Sequence, residues 1–203
     1  NNEGATLDLN SHNNTIGILV GGGTTGGNVT LGTGTLTTGG DNSSTSYGGV
    51  ISGAGVLLKT GSGTLTLTGT NTYSSGTQVT GGAVSVVADA NLGDSAGTLA
   101  LNNGQLTTTG AFSSSRPVTL TNTGTINTGS ALTLSGALTG TGGVTKVGSG
   151  ILTLSGTSNG YSGTTTVSEG TLQAGAANAF SSSSAVSLAN TVGATHDLNS
   201  IHN

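Results

Sequence analysis

The stretch KTGSGTLTLTGTNTYSSGTQVTGGAVSV fills residues 59–86, and KVGSGILTLSGTSNGYSGTTTVSEGTLQ fills residues 146–173. The two are one sentence written twice with small changes. Inside the first copy, GTLTLTGT (63–70) alternates Leu and Thr with a period of two. That spacing puts Leu65 and Leu67 on one side of an extended strand and the threonines on the other. Each strand is short and stops at glycine, which supplies the positive φ of a tight corner. The match runs further upstream. GVISGAGVLLKTGSGTLTLTG (49–69) aligns without a gap with GALTGTGGVTKVGSGILTLSG (136–156), and Lys59 lies 87 residues before Lys146. After one inserted residue, Asn71, Tyr73, Val79, Gly82 and Val84 answer to Asn159, Tyr161, Val167, Gly170 and Leu172. GATLDLNS (4–11) and GATHDLNS (193–200) form a further echo, 189 residues apart. The chain, 1–203, therefore reads as a single segment of about two long units, with the main echo at 49–87 and 136–174.

The alternation recurs in NVTLGTGTLTT (28–38), GTLALNNGQLTT (97–108), PVTLTNTGTINTG (117–129) and ALTLSGALTG (131–140). Helical spacing of apolar residues is almost missing. One unit has too little apolar surface to fold alone, but stacked units share a continuous core. The expected fold is all-β, a right-handed parallel β-helix. Coils of about 20 residues give nine or ten turns, and at roughly 4.8 Å per turn the rod is about 45 Å long. Asn71 and Asn159, at corners, are candidates for amide ladders between coils. An antiparallel sandwich is the alternative, but it leaves the 87-residue echo without a cause.

Composition excludes several classes. Only 5% of residues are charged and 39 are glycine, a bias shared with disordered chains. Disordered chains are usually highly charged, however, and here the apolar residues are patterned. The net charge of −4, with Lys59, Arg116 and Lys146 the only basic residues besides histidine, rules out a phosphate-neutralising nucleic-acid surface. Cysteine is absent, so there is no disulfide framework, a composition that suits export. No apolar run reaches the length of a membrane helix. The lack of an initiator Met and of a leader reads as a fragment or processed product.

The pattern K-x-G-x-G-x-L-x-L-x-G, then N-x-Y-S, then V-x-x-G-x-L, at 59–84 and again at 146–172, closely resembles the passenger-associated repeat of bacterial autotransporters. The flanks GATLDLNSHNNTIGIL (4–19) and GGDNSSTSYGGVISGAG (39–55) also resemble passenger segments, so the likeness covers nearly the whole chain. Ala83 stands where the second copy has Thr171, and Ser75 where it has Gly163. The resemblance implies an exported β-helical passenger of a Gram-negative bacterium, extracellular or displayed at the cell surface. It implies that the repeat serves folding and outer-membrane transit. It carries no membrane barrel, so membrane insertion by this segment is not expected.

Residues with chemical potential are few. The acids are Glu3, Asp8, Asp41, Asp89, Asp94, Glu169 and Asp197, and only Asp8 and Asp197 are repeat equivalents, which favours corners over a glycosidase pair. His12, His196 and His202 lie near the ends and read as solvated loops. Gly61-Ser62-Gly63 and Gly148-Ser149-Gly150 read as corners rather than nucleophile elbows. Gly21-Gly22-Gly23 lacks the Lys-Ser/Thr of a phosphate loop. Tyr73 and Tyr161 are repeat equivalents and read as corner packing, not as a sugar platform. Lys59 and Lys146 are expected beside a strand, discouraging lateral pairing. Outward threonines such as Thr64, Thr66 and Thr68 could match an ice lattice, a pattern any Thr-rich strand offers.

The expectation is a structural or adhesive surface rod with no enzyme activity, no catalytic, cofactor-binding or metal residues and no cofactor. Its expected partners are itself, through open β-helix ends that stack head to tail into filaments or continue a longer rod, and surface glycans or proteins. No nucleic acid is expected. A carbohydrate-binding or polysaccharide-active β-helix is the alternative.

Overall fold

The computed structural model describes residues 4–24, 26–190 and 193–197. Glu3, His202 and the last three residues of the GATHDLNS echo lie outside the described residues. The chain winds as a three-sided parallel β-solenoid. In each coil it passes face one, face two and face three in that order. Face three is the longest sheet, with eight strands from Thr45–Tyr47 to Val186–Leu188. Gly21 pairs with Tyr47 beneath it, so face three marks nine coils. Face two has seven strands, from Asn14–Thr15 to Leu138–Thr139. Face one is two sheets: Thr6–Asp8, Asn28–Thr30 and Ile51–Ser52 form one, and five strands from Phe112–Ser114 to Thr195–Asp197 form the other.

Every ladder between these strands is parallel. Partners such as Thr125↔Thr145 and Leu132↔Leu152 are one 20-residue coil apart. Parallel neighbours need a long crossover, and here each crossover is the rest of the coil. The expected parallel β-helix is therefore present, and the antiparallel sandwich is not. The single described helical element is a 3-10 turn at Asp89–Leu92, where face one bulges. No described helix is long and apolar enough to cross a membrane.

Period-two alternation carries the core. In Thr64–Leu67, Leu65 and Leu67 are buried and the threonines half-buried on the outer side. The same inward positions stack from coil to coil: Leu65, Val84, Leu106 and Ile126 follow one another on face three. One continuous apolar column results, shared by the stacked coils. Corners are tight. Gly61 and Gly148 have φ of +68° and +78°, and a Cβ on Gly61 would sit 2.0 Å from the Gly39 oxygen in the preceding coil. Glycine is needed there for backbone conformation and for stacking distance together.

The long repeat is not a whole number of coils. Lys59 stacks on Val79, then Leu101, then Leu120, all on face two. The next coil reaches face two at Leu138–Thr139, and Lys146 comes only afterwards, in Val144–Val147 on face three. The offset of 87 residues is thus four coils plus one face. The second copy is turned about one-third of a revolution from the first. The Asn-x-Tyr loop follows it: Thr72 N–H bonds Ile51 O on face one, whereas Gly160 N–H bonds Leu138 O on face two. The 189-residue echo, by contrast, keeps phase, because Thr6–Asp8 and Thr195–Asp197 both lie on face one.

Candidate functional site

The repeat motif points inward. Lys59 closes the strand Val56–Lys59 at an inward position and is only 1% exposed. Its ammonium donates to the carbonyls of Thr60 and Gly61. Lys146 is fully buried and donates to Val147 O (2.8 Å), Gly148 O (2.6 Å) and, in the next coil, Glu169 O (3.1 Å). The expectation that these lysines stand outside and block lateral pairing is therefore corrected. Turning a corner leaves carbonyls that the ladder does not use, and a long side chain with three donors satisfies them from within. Burial lowers the Lys146 pKa to about 8, against a smaller opposing effect of Glu169, and lowers that of Lys59.

Asn71 and Asn159 do tie coils together, but through backbone rather than through stacked amides. Asn71 Oδ1 accepts the Ile51 N–H (2.8 Å) in the preceding coil, and its Nδ2 donates to Asn91 O (2.6 Å) in the next. Asn159 repeats the arrangement with Leu138 N–H (2.7 Å) and Ala179 O (2.6 Å). Each replaces a ladder rung where the loop leaves strand geometry. A side-chain amide pair does form on the surface, Asn122 Nδ2 to Asn102 Oδ1 at 2.6 Å. Tyr73 and Tyr161 are fully buried, with hydroxyls 2.5 Å from Thr77 Oγ1 and 2.7 Å from Thr165 Oγ1. Corner packing is what they do. Tyr47 is buried too, and Phe112 and Phe180 are packed against the core. No tyrosine is left to offer an exposed ring.

Arg116 is the residue the sequence reading passed over. It is 1% exposed, and it gathers the whole bulge of residues 89–97. Nε donates to Asp89 Oδ1 (2.9 Å), Nη1 contacts the carbonyls of Leu92, Asp94 and Gly97, and Nη2 those of Asp89 and Gly93. The planar fork offers five donors at fixed angles, which suits a cluster of carbonyls. The only signal in the sequence was that a single arginine occurs in an almost uncharged chain.

The acids are dispersed. Asp8, Asp41 and Asp94 each accept the N–H two residues on, at Asn10, Ser43 and Ala96, and so build turns. Asp89 serves Arg116, and Asp197 accepts from Gln173 Nε2 (3.1 Å). No described group of three or more His or acidic residues could hold a metal ion. His12 is exposed, as expected of a terminal loop. His196 departs from that expectation: it lies in the strand Thr195–Asp197, half-buried, its ring 4.4 Å from that of Phe180, and burial lowers its pKa.

A recess of about 360 Å³ lies at the corner between faces two and three, lined by Asn103, Thr121, Asn122, Thr141, Thr145 and neighbouring glycines and threonines. It carries hydroxyls and amides and no charged or aromatic side chain. On face three, Thr125, Thr145 and Thr166 stack as an outward row, but the parallel row reads Ser85, Thr107, Asn127, Val147. The regular two-row threonine lattice that ice would need is not formed.

Residues 57–86 and 144–174 match the family model described as passenger-associated-transport-repeat. The chain is 41% identical over 98 residues to the adhesin BmaC autotransporter of Brucella suis biovar 1 (strain 1330). That alignment covers 48% of this chain and 3% of the relative, so the chain spans a small part of the length of the protein it is similar to. No solved structure matches it.

Proposed function

Since the chain carries two autotransporter passenger repeats wound into a β-solenoid, we propose that it is a stretch of the rod of a surface-exported autotransporter adhesin. The carrying observation is that the repeat motif is consumed inside. Lys59, Leu65, Leu67, Asn71, Tyr73 and Val79 are all buried, and so are Lys146, Leu152, Leu154, Tyr161 and Val167. The motif specifies stacking and leaves the outer face free to vary. A rod of this kind holds a contact surface away from the cell and needs no reaction centre. The turn of about one-third between repeat copies presents equivalent loops on different sides of the rod.

Antibodies against the folded segment should label intact producing cells, and external protease should remove the label. Labelling that appears only after permeabilisation overturns the reading. Contact with host or bacterial surface glycans is the second reading, favoured by the uncharged hydroxyl and amide recess at Asn122. Glycan screening tests it.

End-to-end stacking belongs to the same proposal. Thr6–Asp8 and Thr195–Asp197 share face one, and Leu7, Ile18, Val20, Val186 and Leu188 are exposed on the outermost described coils. A coil laid on either would cover them. Sedimentation over a concentration series should then reveal elongated oligomers, whereas a monomer at every concentration counts against filaments.

A further inference from the structure

The sequence contains the dipeptide Asn-Gly twice, at Asn103-Gly104 and Asn159-Gly160. Asn-Gly is chemically vulnerable because glycine has no Cβ to shield its amide nitrogen. That nitrogen can attack the preceding side-chain amide carbon, expelling ammonia and closing a five-membered imide. Water then opens the ring to aspartate or isoaspartate. The sequence makes the two pairs equivalent, and the fold does not.

At Asn159 both reacting groups are occupied. Its Oδ1 accepts from Leu138 N–H, and its Nδ2 donates to Gly156 O and Ala179 O. The nucleophile is engaged as well, since Gly160 N–H bonds Leu138 O at 2.8 Å. Attack requires these bonds between coils to open first. Asn103 sits at the tip of the corner between Leu99–Leu101 and Gln105–Thr108, exposed, with φ of +57°. Among the described residues its side chain makes no hydrogen bond, and neither does the Gly104 N–H. Gly104 itself is buried, and the Val79 oxygen lies 2.3 Å from where a Cβ would stand. Alanine therefore does not fit there, so the corner requires the glycine that makes the pair reactive.

We propose that Asn103 is a spontaneous deamidation site of the folded protein and that Asn159 is protected by its ladder. The reaction needs only water: the Gly104 N–Cγ bond forms as the Cγ–Nδ2 bond breaks, ammonia leaves, and hydrolysis restores an open chain. Its product places a carboxylate in the wall of the uncharged recess that Asn103 lines with Asn122. Ageing thus converts a neutral surface groove into an anionic one and, as isoaspartate, adds a methylene to the corner backbone.

The test is peptide mapping of the folded protein during incubation at neutral pH, with denatured protein as the internal calibration and Asn103→Gln as the control. In the denatured chain the two sites should convert at similar rates. In the folded protein Asn103 should convert at least about tenfold faster than Asn159, because several hydrogen bonds must open at the second site. Asn103→Gln should abolish the early charge change in isoelectric focusing. Conversion of Asn159 at the rate of Asn103 or faster, or equal slowing of both by folding, overturns the proposal.

Discussion

Replacing Arg116 with Met keeps most of the side-chain volume and deletes all five donors. Six contacts of 2.9 to 3.3 Å then vanish from one bulge. Removing one partner of a buried charge network costs about 3–5 kcal/mol. Here the lower end applies, because Asp89 is 21% exposed and the residues at 94–96 are exposed, so several acceptors regain water. A loss of about 3 kcal/mol raises the local opening equilibrium more than about a hundredfold. In a solenoid each coil answers mainly to its neighbours, so the damage should stay near the bulge. Native-state hydrogen exchange reads it directly. The amides of Asn91, Asp94 and Gly97, bonded to Ala88, Tyr73 and Asp94 oxygens, should lose protection, while Thr145 and Leu152 keep theirs. Arg116→Lys should recover little, since one ammonium does not span five carbonyls. Unchanged protection at those three amides in Arg116→Met would refute the view that this side chain holds the bulge.

The inward hydroxyls of Thr108 and Thr128 are buried without a protein partner, so Thr128→Val should leave stability unchanged or raise it by up to about 1 kcal/mol, read from the urea midpoint. Asn159→Leu strands the Leu138 N–H and the Ala179 carbonyl, and should cost about 2–4 kcal/mol, seen as early proteolytic nicking of the loop near 157–163. Stability should depend on alkaline pH in both directions. Lys146 has a folded pKa of about 8, below its ordinary 10.5, so the folded state binds fewer protons than the unfolded one in that interval and stability rises with pH across it. Tyr47 and Tyr73 are pushed up to about 12 from 10.0 by burial, so their contribution is lost as pH climbs from 10 to 12. Urea midpoints should therefore pass through a maximum near pH 10, and Lys146→Met should flatten the rising limb.

Much of this molecule was legible in one dimension. Alternation of Leu and Thr fixes which side of each strand is buried, because side-chain direction in a strand has a period of two whatever the neighbours are. Glycine at 61 and 148 announced the corners, and the doubled sentence announced stacking, since only a stack lets a short apolar strand be useful twice. The packing role of Tyr73 and Tyr161 is legible too, because equivalence between copies points to a shared structural task. Direction at the corners was not legible. Lys59 and Lys146 follow the same alternation as the leucines, yet a charged residue reads as outward until the unused corner carbonyls are seen. Only the tertiary structure brings Arg116 over residues 89–97, or engages one Asn-Gly pair and leaves the other free, since those partners belong to other coils. The rotation of the second repeat has the same origin. Sequence supplies the 87-residue spacing, but the length of a coil is set by how far the chain must travel around three packed faces, and 87 is not a whole number of such circuits.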